Sequence, residues 1–129
     1  MILVDSSVWI ASFRGVSTPE TTRLKTITDP AEIILGDIVM LEILQGAASD
    51  SHAANIQKRL AMFGVVALLS PEIAVKAAAN FRKLRSKGIT IRKTPDLIIG
   101  TYCMEHGHSL LHADRDFDPM AEHLGLRIA

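Results

Sequence analysis

The sequence predicts an α/β fold in which helices cover both faces of a central, mostly parallel β-sheet of four to five strands. The chain has 129 residues, a usual size for one domain, so we expect a single domain over residues 1–129. Its composition is 48% hydrophobic but only 5% aromatic, which favours aliphatic packing of helices on a parallel sheet. Short apolar runs also alternate with longer helical patterns, as in βαβ units.

Five short apolar runs predict the strands. They are "MILV" (1–4), "EIIL" (32–35), "VVALL" (65–69), "SLLH" (109–112) and "LRIA" (126–129). Parallel α/β sheets bind their ligands beyond the carboxyl ends of the strands. Asp5 directly follows the first run and the segment "ADRD" follows the fourth, so we expect both at that edge of the sheet.

Longer periodic segments predict helices between these runs. We place them at 8–13, 18–27, 37–47, 51–63, 71–88, 94–107 and 114–125. Thr18 before Pro19 and Asp37 are typical N-terminal caps, and Gly107 is a typical C-terminal stop.

Several classes of protein are disfavoured by composition. No apolar run approaches the ~20 residues of a membrane span, and no basic stretch precedes the first apolar run as in a signal peptide. The single cysteine, Cys103, excludes an internal disulfide and a multi-cysteine zinc site. We therefore expect no membrane association and a reducing cytoplasmic location.

The basic residues are unevenly distributed although the net charge is zero. No acidic residue lies between Glu72 and Asp96, whereas half of the 14 basic residues of the chain lie in this interval. They are Lys76, Arg82, Lys83, Arg85, Lys87, Arg92 and Lys93. Such a segment is either a solvated helix face or a surface for a polyanion, and the absence of acids favours the polyanion.

Two acids stand in apolar surroundings. Asp5 ends a buried strand, where it is either the cap of the next helix or a chemical group, and Ser6 or Ser7 would serve equally well as a cap. Glu42 is the only polar side chain within the run 38–44, which predicts a helix buried on every side. A buried glutamate needs an ion-pair partner, a bound cation or the lip of a polar cleft.

Further acids lie near the C-terminus. Asp96 follows Thr94-Pro95 and occupies the first turn of its helix. There it either interacts favourably with the helix dipole or faces a functional site. Asp114, Asp116 and Asp118 are crowded beside the end of a strand, which is tolerable where a cation lies among them.

Carboxylates without a histidine or cysteine motif suit Mg²⁺ or Mn²⁺ better than zinc. Such ions activate water and neutralise the charge that develops on a phosphate, so these acids point to metal-assisted phosphodiester hydrolysis.

The motifs, taken in order, resemble those of PIN-domain ribonucleases, and within these the VapC toxins of type II toxin–antitoxin pairs. They are "ILVDSSVWI", the glutamate of "MLEILQG", and "TPDLIIGTYCMEHGHSLLHADRDF". The resemblance covers essentially the whole chain and implies a PIN-like α/β/α sandwich.

The resemblance implies a role for each matching residue. The catalytic carboxylates would be Asp5, Glu42, Asp96 and Asp114. Asp5, Asp96 and Asp114 would bind Mg²⁺ or Mn²⁺, with Glu42 and Asp116 as further candidate ligands. Ser6 would shape the pocket. His112 and Ala113 depart from the family pattern, in which threonine and a polar residue are frequent.

The resemblance also implies an activity and partners. The chain would be an endoribonuclease that cleaves RNA with metal-activated water, would form a homodimer, and would be inhibited by a VapB-type antitoxin. The antitoxin would cover apolar helices within 8–63 and insert a basic side chain into the acidic pocket. RNA would lie over the basic segment, on Arg82, Lys83, Arg85, Lys87, Arg92 and Lys93.

Two other functions agree less well with the sequence. A catalytically silent PIN-like RNA-binding or regulatory module is the main alternative, although such modules often lack one of the four acids that this chain retains. An aspartyl phosphotransferase is disfavoured, because Ser7 stands where a haloacid-dehalogenase-type phosphatase has an acid and no lysine follows Lys93, as a receiver domain requires.

Overall fold

The computed structural model describes residues 1–129 and has a four-stranded, fully parallel sheet. The strands are β1 (Ile2–Val4), β2 (Ile33–Gly36), β3 (Val65–Val66) and β4 (Ser109–Leu111). Their order is β3-β2-β1-β4, so β1 lies between β2 and β4. Leu3 is paired with Ile34 on one side and with Leu110 on the other. The predicted α/β class with a parallel sheet is confirmed.

Seven α-helices connect and cover the strands. They are α1 (Ser6–Phe13), α2 (Pro19–Thr26), α3 (Asp37–Gln45), α4 (Asp50–Leu60), α5 (Pro71–Ser86), α6 (Thr94–His106) and α7 (Asp118–Leu124). Two single turns of 3₁₀-helix, Pro30–Glu32 and Arg115–Phe117, precede β2 and α7. None of these helices has the length and apolar character that crossing a membrane would require.

Several predicted helix limits and caps were wrong; α4, for example, ends at Leu60 rather than at residue 63. The first helix begins at Ser6 rather than Val8, because the Asp5 side chain accepts the backbone N–H of Ser7 and caps the helix there. Asp37 is the first residue of α3 and not its cap, which is Gly36. The predicted helix 114–125 is divided into the 3₁₀ turn and α7.

Two predicted strands are shorter than expected. Only Val65 and Val66 of the run 65–69 pair with β2. The chain then leaves the sheet because the N–H of Leu68 donates to Asp37 Oδ1 at 3.1 Å, and Leu68 packs over Gly36, where a Cβ atom would lie 2.5 Å from its side chain. The run 126–129 forms one isolated bridge, between Ile128 and Leu110, rather than a strand.

The expectation that α3 is buried on every side was also wrong. Its buried residues are Val39 and Ile43, whereas Leu41 is 60% exposed. The helix packs one face on the fold and leaves apolar residues at the surface, so Glu42 borders solvent.

The core holds α6 and the 112–118 segment in fixed relation to the sheet. Phe117 is completely buried, and its ring centroid lies 4.9 Å from that of His112. The helix α6 contacts the same region closely at Gly100, where a Cβ atom would lie 2.5 Å from the Met120 sulfur. The residues that follow β4 are therefore anchored from beneath.

We expect Phe117→Ala to lower the free energy of unfolding by about 3–5 kcal/mol, because it removes a fully buried aromatic ring beneath the 3₁₀ turn. Val75→Ala is the control: its side chain on α5 is 70% exposed, and we expect a change within about 0.5 kcal/mol. Urea unfolding followed by circular dichroism measures both. Equal effects of the two substitutions would contradict the assigned core.

Candidate metal centre

Asp5 both caps a helix and lies in the centre of the acidic site. It is 3% exposed, and its backbone N–H donates to the carbonyl of Leu111 in β4 at 2.9 Å. Its Oδ2 accepts the Ser7 N–H at 3.1 Å and the Ser7 hydroxyl at 2.6 Å. The cap and the ligand interpretations are therefore compatible, because these bonds use one carboxylate oxygen and leave Oδ1 for another ligand.

The Ser7 hydroxyl links β1 to the chain that follows β4. Besides donating to Asp5, its oxygen accepts the N–H of Ala113 at 3.1 Å. Ser7 was not among the predicted site residues. The one signal for it was the pair of hydroxyl residues behind Asp5, of which the family resemblance selected Ser6.

Glu42 reaches the site from α3. It is partly buried, and the Ser6 hydroxyl donates to its Oε1 at 3.4 Å. Burial, and next the charge of Asp5, raise the pKa of Glu42 above its usual range. No lysine, arginine or histidine forms an ion pair with it. Of the alternatives that the sequence left open for Glu42, a position at the lip of a polar cleft agrees with the structure. The alternative of an ion-paired glutamate in the core is wrong.

Asp96 carries the least satisfied carboxylate. It lies in the first turn of α6 and is 3% exposed. Its Oδ2 is fully buried and has no hydrogen-bond partner. Burial, and then the charges of Asp5 and Asp114, raise its pKa to about 7. A buried carboxylate oxygen without a partner is costly, and a bound cation would satisfy it.

Asp114 and Asp116 complete the site after β4. One carboxylate oxygen from each of Asp96, Asp114 and Asp116 lies within 4.8 Å of the others. Asp114 Oδ1 accepts the N–H of Asp116 at 2.9 Å and so caps the 3₁₀ turn. The Nδ1 atom of His112 lies 3.1 Å from the N–H of Asp114 and accepts it. The side chain of His112 and the backbone of Ala113 thus both support the loop.

Lys93 lies among these acids. Its Nζ is 3.0 Å from Asp114 Oδ2 and 3.3 Å from Asp116 Oδ2. Burial acts to raise the pKa of Asp114, but the N–H of Asp116 and the ammonium of Lys93 outweigh it, so this pKa lies below its usual range. The sequence predicted a cation among the crowded aspartates, and the ammonium of Lys93 is one such cation.

The structure brings Asp96, Asp114 and Asp116 within metal-binding distance of one another, and Asp5 and Glu42 lie outside this group of three at the same edge of the sheet. The charges of Asp5, Asp114 and Glu42 each contribute to the raised pKa of Asp96. Asp118 does not join them and is exposed at the start of α7. The donors are carboxylate oxygens, one of them orphaned, with no histidine or cysteine among them. This set fits a hard divalent cation.

A family profile and known proteins were compared with this chain. The PIN domain profile matches residues 2–123. The chain belongs to the PIN domain family. The expected resemblance is thereby confirmed, and Asp5, Glu42, Asp96 and Asp114 all lie within the matched residues.

The chain is similar to named proteins over its whole length. Ribonuclease VapC11 of Mycobacterium tuberculosis is 29% identical over 133 residues, which cover 100% of this chain and 98% of that protein. Among solved structures, VapBC2 of Rickettsia felis, bound to a promoter DNA fragment, has a TM-score of 0.80 at 15% identity and covers 100% and 98% of the two chains. VapC20 of Mycobacterium tuberculosis, a sarcin-ricin loop cleaving toxin, has a TM-score of 0.66 at 17% identity and covers 92% and 93%.

The basic segment of this PIN domain divides into paired and unpaired residues. Lys76 is paired with Glu72 and Glu105, and Lys93 with the site acids. The exposed cations without an ion pair are Arg82, Lys83, Arg85, Lys87 and Arg92. Arg92, Lys93 and Arg115 line a cleft of about 280 Å³ that also contains Asp116. The basic segment therefore reaches the acidic site at Arg92 and Lys93.

An apolar groove lies between α1, α3 and α4 of the PIN domain. The residues that line it are Ile10, Phe13, Arg14, Ile43, Gly46, His52 and Ile56. The guanidinium of Arg59 lies 4.4 Å from the centroid of the Phe13 ring. The groove falls within the helices 8–63 in which the sequence predicted a partner surface.

We expect Asp96→Asn to stabilise the metal-free PIN domain at pH 8, by on the order of 2 kcal/mol. The folded-state pKa of Asp96, about 7, exceeds the ordinary value of 3.8. The parent protein therefore becomes less stable as the pH rises from the lower value to the higher one, and it remains less stable at higher pH. At pH 4 and below the two proteins should converge. Urea unfolding in a chelator at pH 4, 6 and 8 measures this.

Asp118→Asn is the control for this substitution, because Asp118 is an exposed acid outside the site. We expect its stability to follow the parent at every pH. A destabilised Asp96→Asn protein at pH 8 would mean that a protein group compensates the Asp96 charge, contrary to the geometry described.

Proposed function

We propose that this PIN domain is an endoribonuclease that uses Mg²⁺ or Mn²⁺ to cleave RNA with activated water, and that it is the toxin of a toxin–antitoxin pair. The observation that carries the proposal is the orphaned, buried Oδ2 of Asp96 within a group of converging carboxylates. Similarity to VapC ribonucleases over the full chain supports RNA as the substrate. One continuous hydrophobic core supports action as a single domain.

The positions of the acids indicate a role for each of them. Asp5, Asp96 and Asp114 would hold the metal ion, with Glu42 and Asp116 as further candidate ligands. When bound, the ion supplies Lewis acidity, which lowers the pKa of water and offsets charge on the scissile phosphate. Glu42 is oriented by the Ser6 hydroxyl, and its raised pKa suits it to accept a proton from the attacking water.

The basic surface next to the site would bind the RNA backbone. Arg82, Lys83, Arg85, Lys87 and Arg92 are exposed, and none has an acidic partner that would have to be given up. Lysine and arginine contacts to phosphate dominate nucleic-acid affinity and make it salt-dependent. Lys93 differs from these five because its ammonium is already paired in the site.

The partner of the toxin would be a VapB-type antitoxin with an apolar helix. The groove between α1, α3 and α4 offers the apolar surface for it, and several solved relatives are toxin–antitoxin complexes. A homodimer is supported by apolar side chains exposed on α3 and along the β3 edge, among them Leu41, Val65 and Leu69. A cytoplasmic location is supported by Cys103, which is a buried free thiol.

We expect Asp5→Asn and Asp96→Asn each to reduce metal-dependent cleavage of a labelled RNA pool by at least about a hundredfold, because each removes a charge that holds the ion. Circular dichroism should show both variants folded, and Asp118→Asn should cleave at the parent rate. A chelator should abolish cleavage by the parent protein.

Two results would contradict the enzymatic proposal. Cleavage at the parent rate by either asparagine variant would remove the carboxylates from the mechanism. RNA binding by the parent protein without cleavage in Mg²⁺ or Mn²⁺ would favour the silent RNA-binding module instead.

We expect Ile10→Asp to separate toxicity from neutralisation. Induction of the parent chain should arrest growth, and co-expression of the neighbouring small reading frame should relieve the arrest. The Ile10→Asp chain should still arrest growth but escape relief, because a charge in the apolar groove weakens helix docking. Val75→Asp, at a 70% exposed position on α5, should be relieved normally. If the product of the neighbouring reading frame neither binds the parent chain nor relieves its growth arrest, the toxin role would be refuted and the nuclease proposal would stand.

A further inference from the structure

Lys93 is a cation placed where the proposed metal ion would be bound. Its Nζ lies 3.0 Å from Oδ2 of Asp114, a proposed ligand, and 3.3 Å from Oδ2 of Asp116, a candidate ligand. The other residues of the basic segment leave these acids free. Lys93 is also the N-cap residue of α6, so its backbone is fixed three residues before Asp96.

The ammonium and a divalent ion compete for the same oxygens. A carboxylate oxygen that accepts a bond from an ammonium presents less charge and fewer lone pairs to a metal. Two cations held on one carboxylate also repel each other strongly over a few ångströms. The Lys93 side chain is 55% exposed, so little packing would be lost if it swung away.

Lys93 does not replace the metal completely. Oδ2 of Asp96 belongs to the same group of acids and still has no partner. The lysine therefore forms ion pairs with Asp114 and Asp116 but none with Asp96 or Asp5, on the buried side of the site. A divalent ion would bind the orphaned Oδ2 of Asp96, but it would have to displace the Lys93 ammonium from Asp114.

We propose that Lys93 is an internal counter-ion that a divalent metal displaces from Asp114 and Asp116 when it binds. The consequence is a weakened metal affinity, which sets the metal concentration at which the site fills. This inference rests on the proposed function for the metal itself. It assigns to Lys93 a role at the acids, in place of the RNA contact that the sequence predicted.

Titration of the purified full chain with Mn²⁺ tests the proposal without requiring catalysis. Isothermal calorimetry and the electron paramagnetic resonance signal of free Mn²⁺ both report the dissociation constant. We expect Lys93→Met to bind Mn²⁺ at least about tenfold more tightly than the parent, because the competing charge is gone. Lys93→Arg keeps the charge, and it should stay within about threefold of the parent.

Lys87→Met is the matched control, since it removes the same charge from an exposed lysine of the same segment that has no acidic partner. We expect its Mn²⁺ affinity to stay within about twofold of the parent, because exposed charges farther from the ion are screened. Thermal unfolding of the metal-free proteins adds a second measurement. Lys93→Met should melt at a lower temperature than the parent in chelator and show the larger rise on addition of Mn²⁺. Lys93→Gln repeats the test should the methionine variant not fold.

The outcomes separate this inference from the proposed function. Unchanged Mn²⁺ affinity of Lys93→Met would overturn the inference and leave the metal site standing, with Lys93 as a stabilising ion pair only. Equal tightening in Lys93→Met and Lys93→Arg would also overturn it, because the charge would not be the cause. Absence of Mn²⁺ binding by the parent protein would refute the proposed metal function itself.

Discussion

The concentration of negative charge at one edge of a parallel sheet is the constraint on which the rest of this structure depends. Parallel strands bring all their carboxyl ends to the same edge, and the chain places Asp5 after β1 and Asp114 after β4, two strands that are direct neighbours. The helices α3 and α6 add Glu42 and Asp96. Burial raises the pKa of Asp5, Glu42 and Asp96, so the metal-free fold carries an uncompensated cost there.

Hydrogen bonds from two serine side chains and from the backbone make this arrangement rigid. Ser7 joins Asp5 to the backbone of Ala113, Ser6 reaches Glu42, and the N–H of Asp116 holds Asp114. The bonds to Asp5, Glu42 and Asp114 fix the directions of these carboxylates relative to the sheet and therefore preorganise them for a cation, and the bond between Ser7 and Ala113 holds the loop after β4. Phe117 beneath the 112–118 segment anchors the same loop in the core. Stability and the geometry of the site are thus coupled through the same few residues.

The surface around the site is divided by charge. The acids occupy the cleft, Arg92 and Arg115 line the neighbouring cleft beside Asp116, and further exposed arginines and lysines lie on α5. Such a division lets a polyanion approach over these basic residues while a metal ion neutralises the acidic cleft. Lys93 lies at the boundary between the two and belongs structurally to the cleft.

The sequence by itself determined the α/β class and the carboxyl-edge location of Asp5 and Asp114, because strand periodicity and helix stops are local, whereas the set of four catalytic acids was predicted from the family resemblance. The tertiary structure alone decided that β3 ends at Val66, that Leu41 is exposed, that Ser7 orients Asp5, and that Lys93 pairs with acids 21 and 23 residues away. These outcomes depend on contacts between segments distant in the chain, such as Asp37 with Leu68. No local pattern encodes which lysine of a basic run folds back onto the acids, because that choice is made by packing.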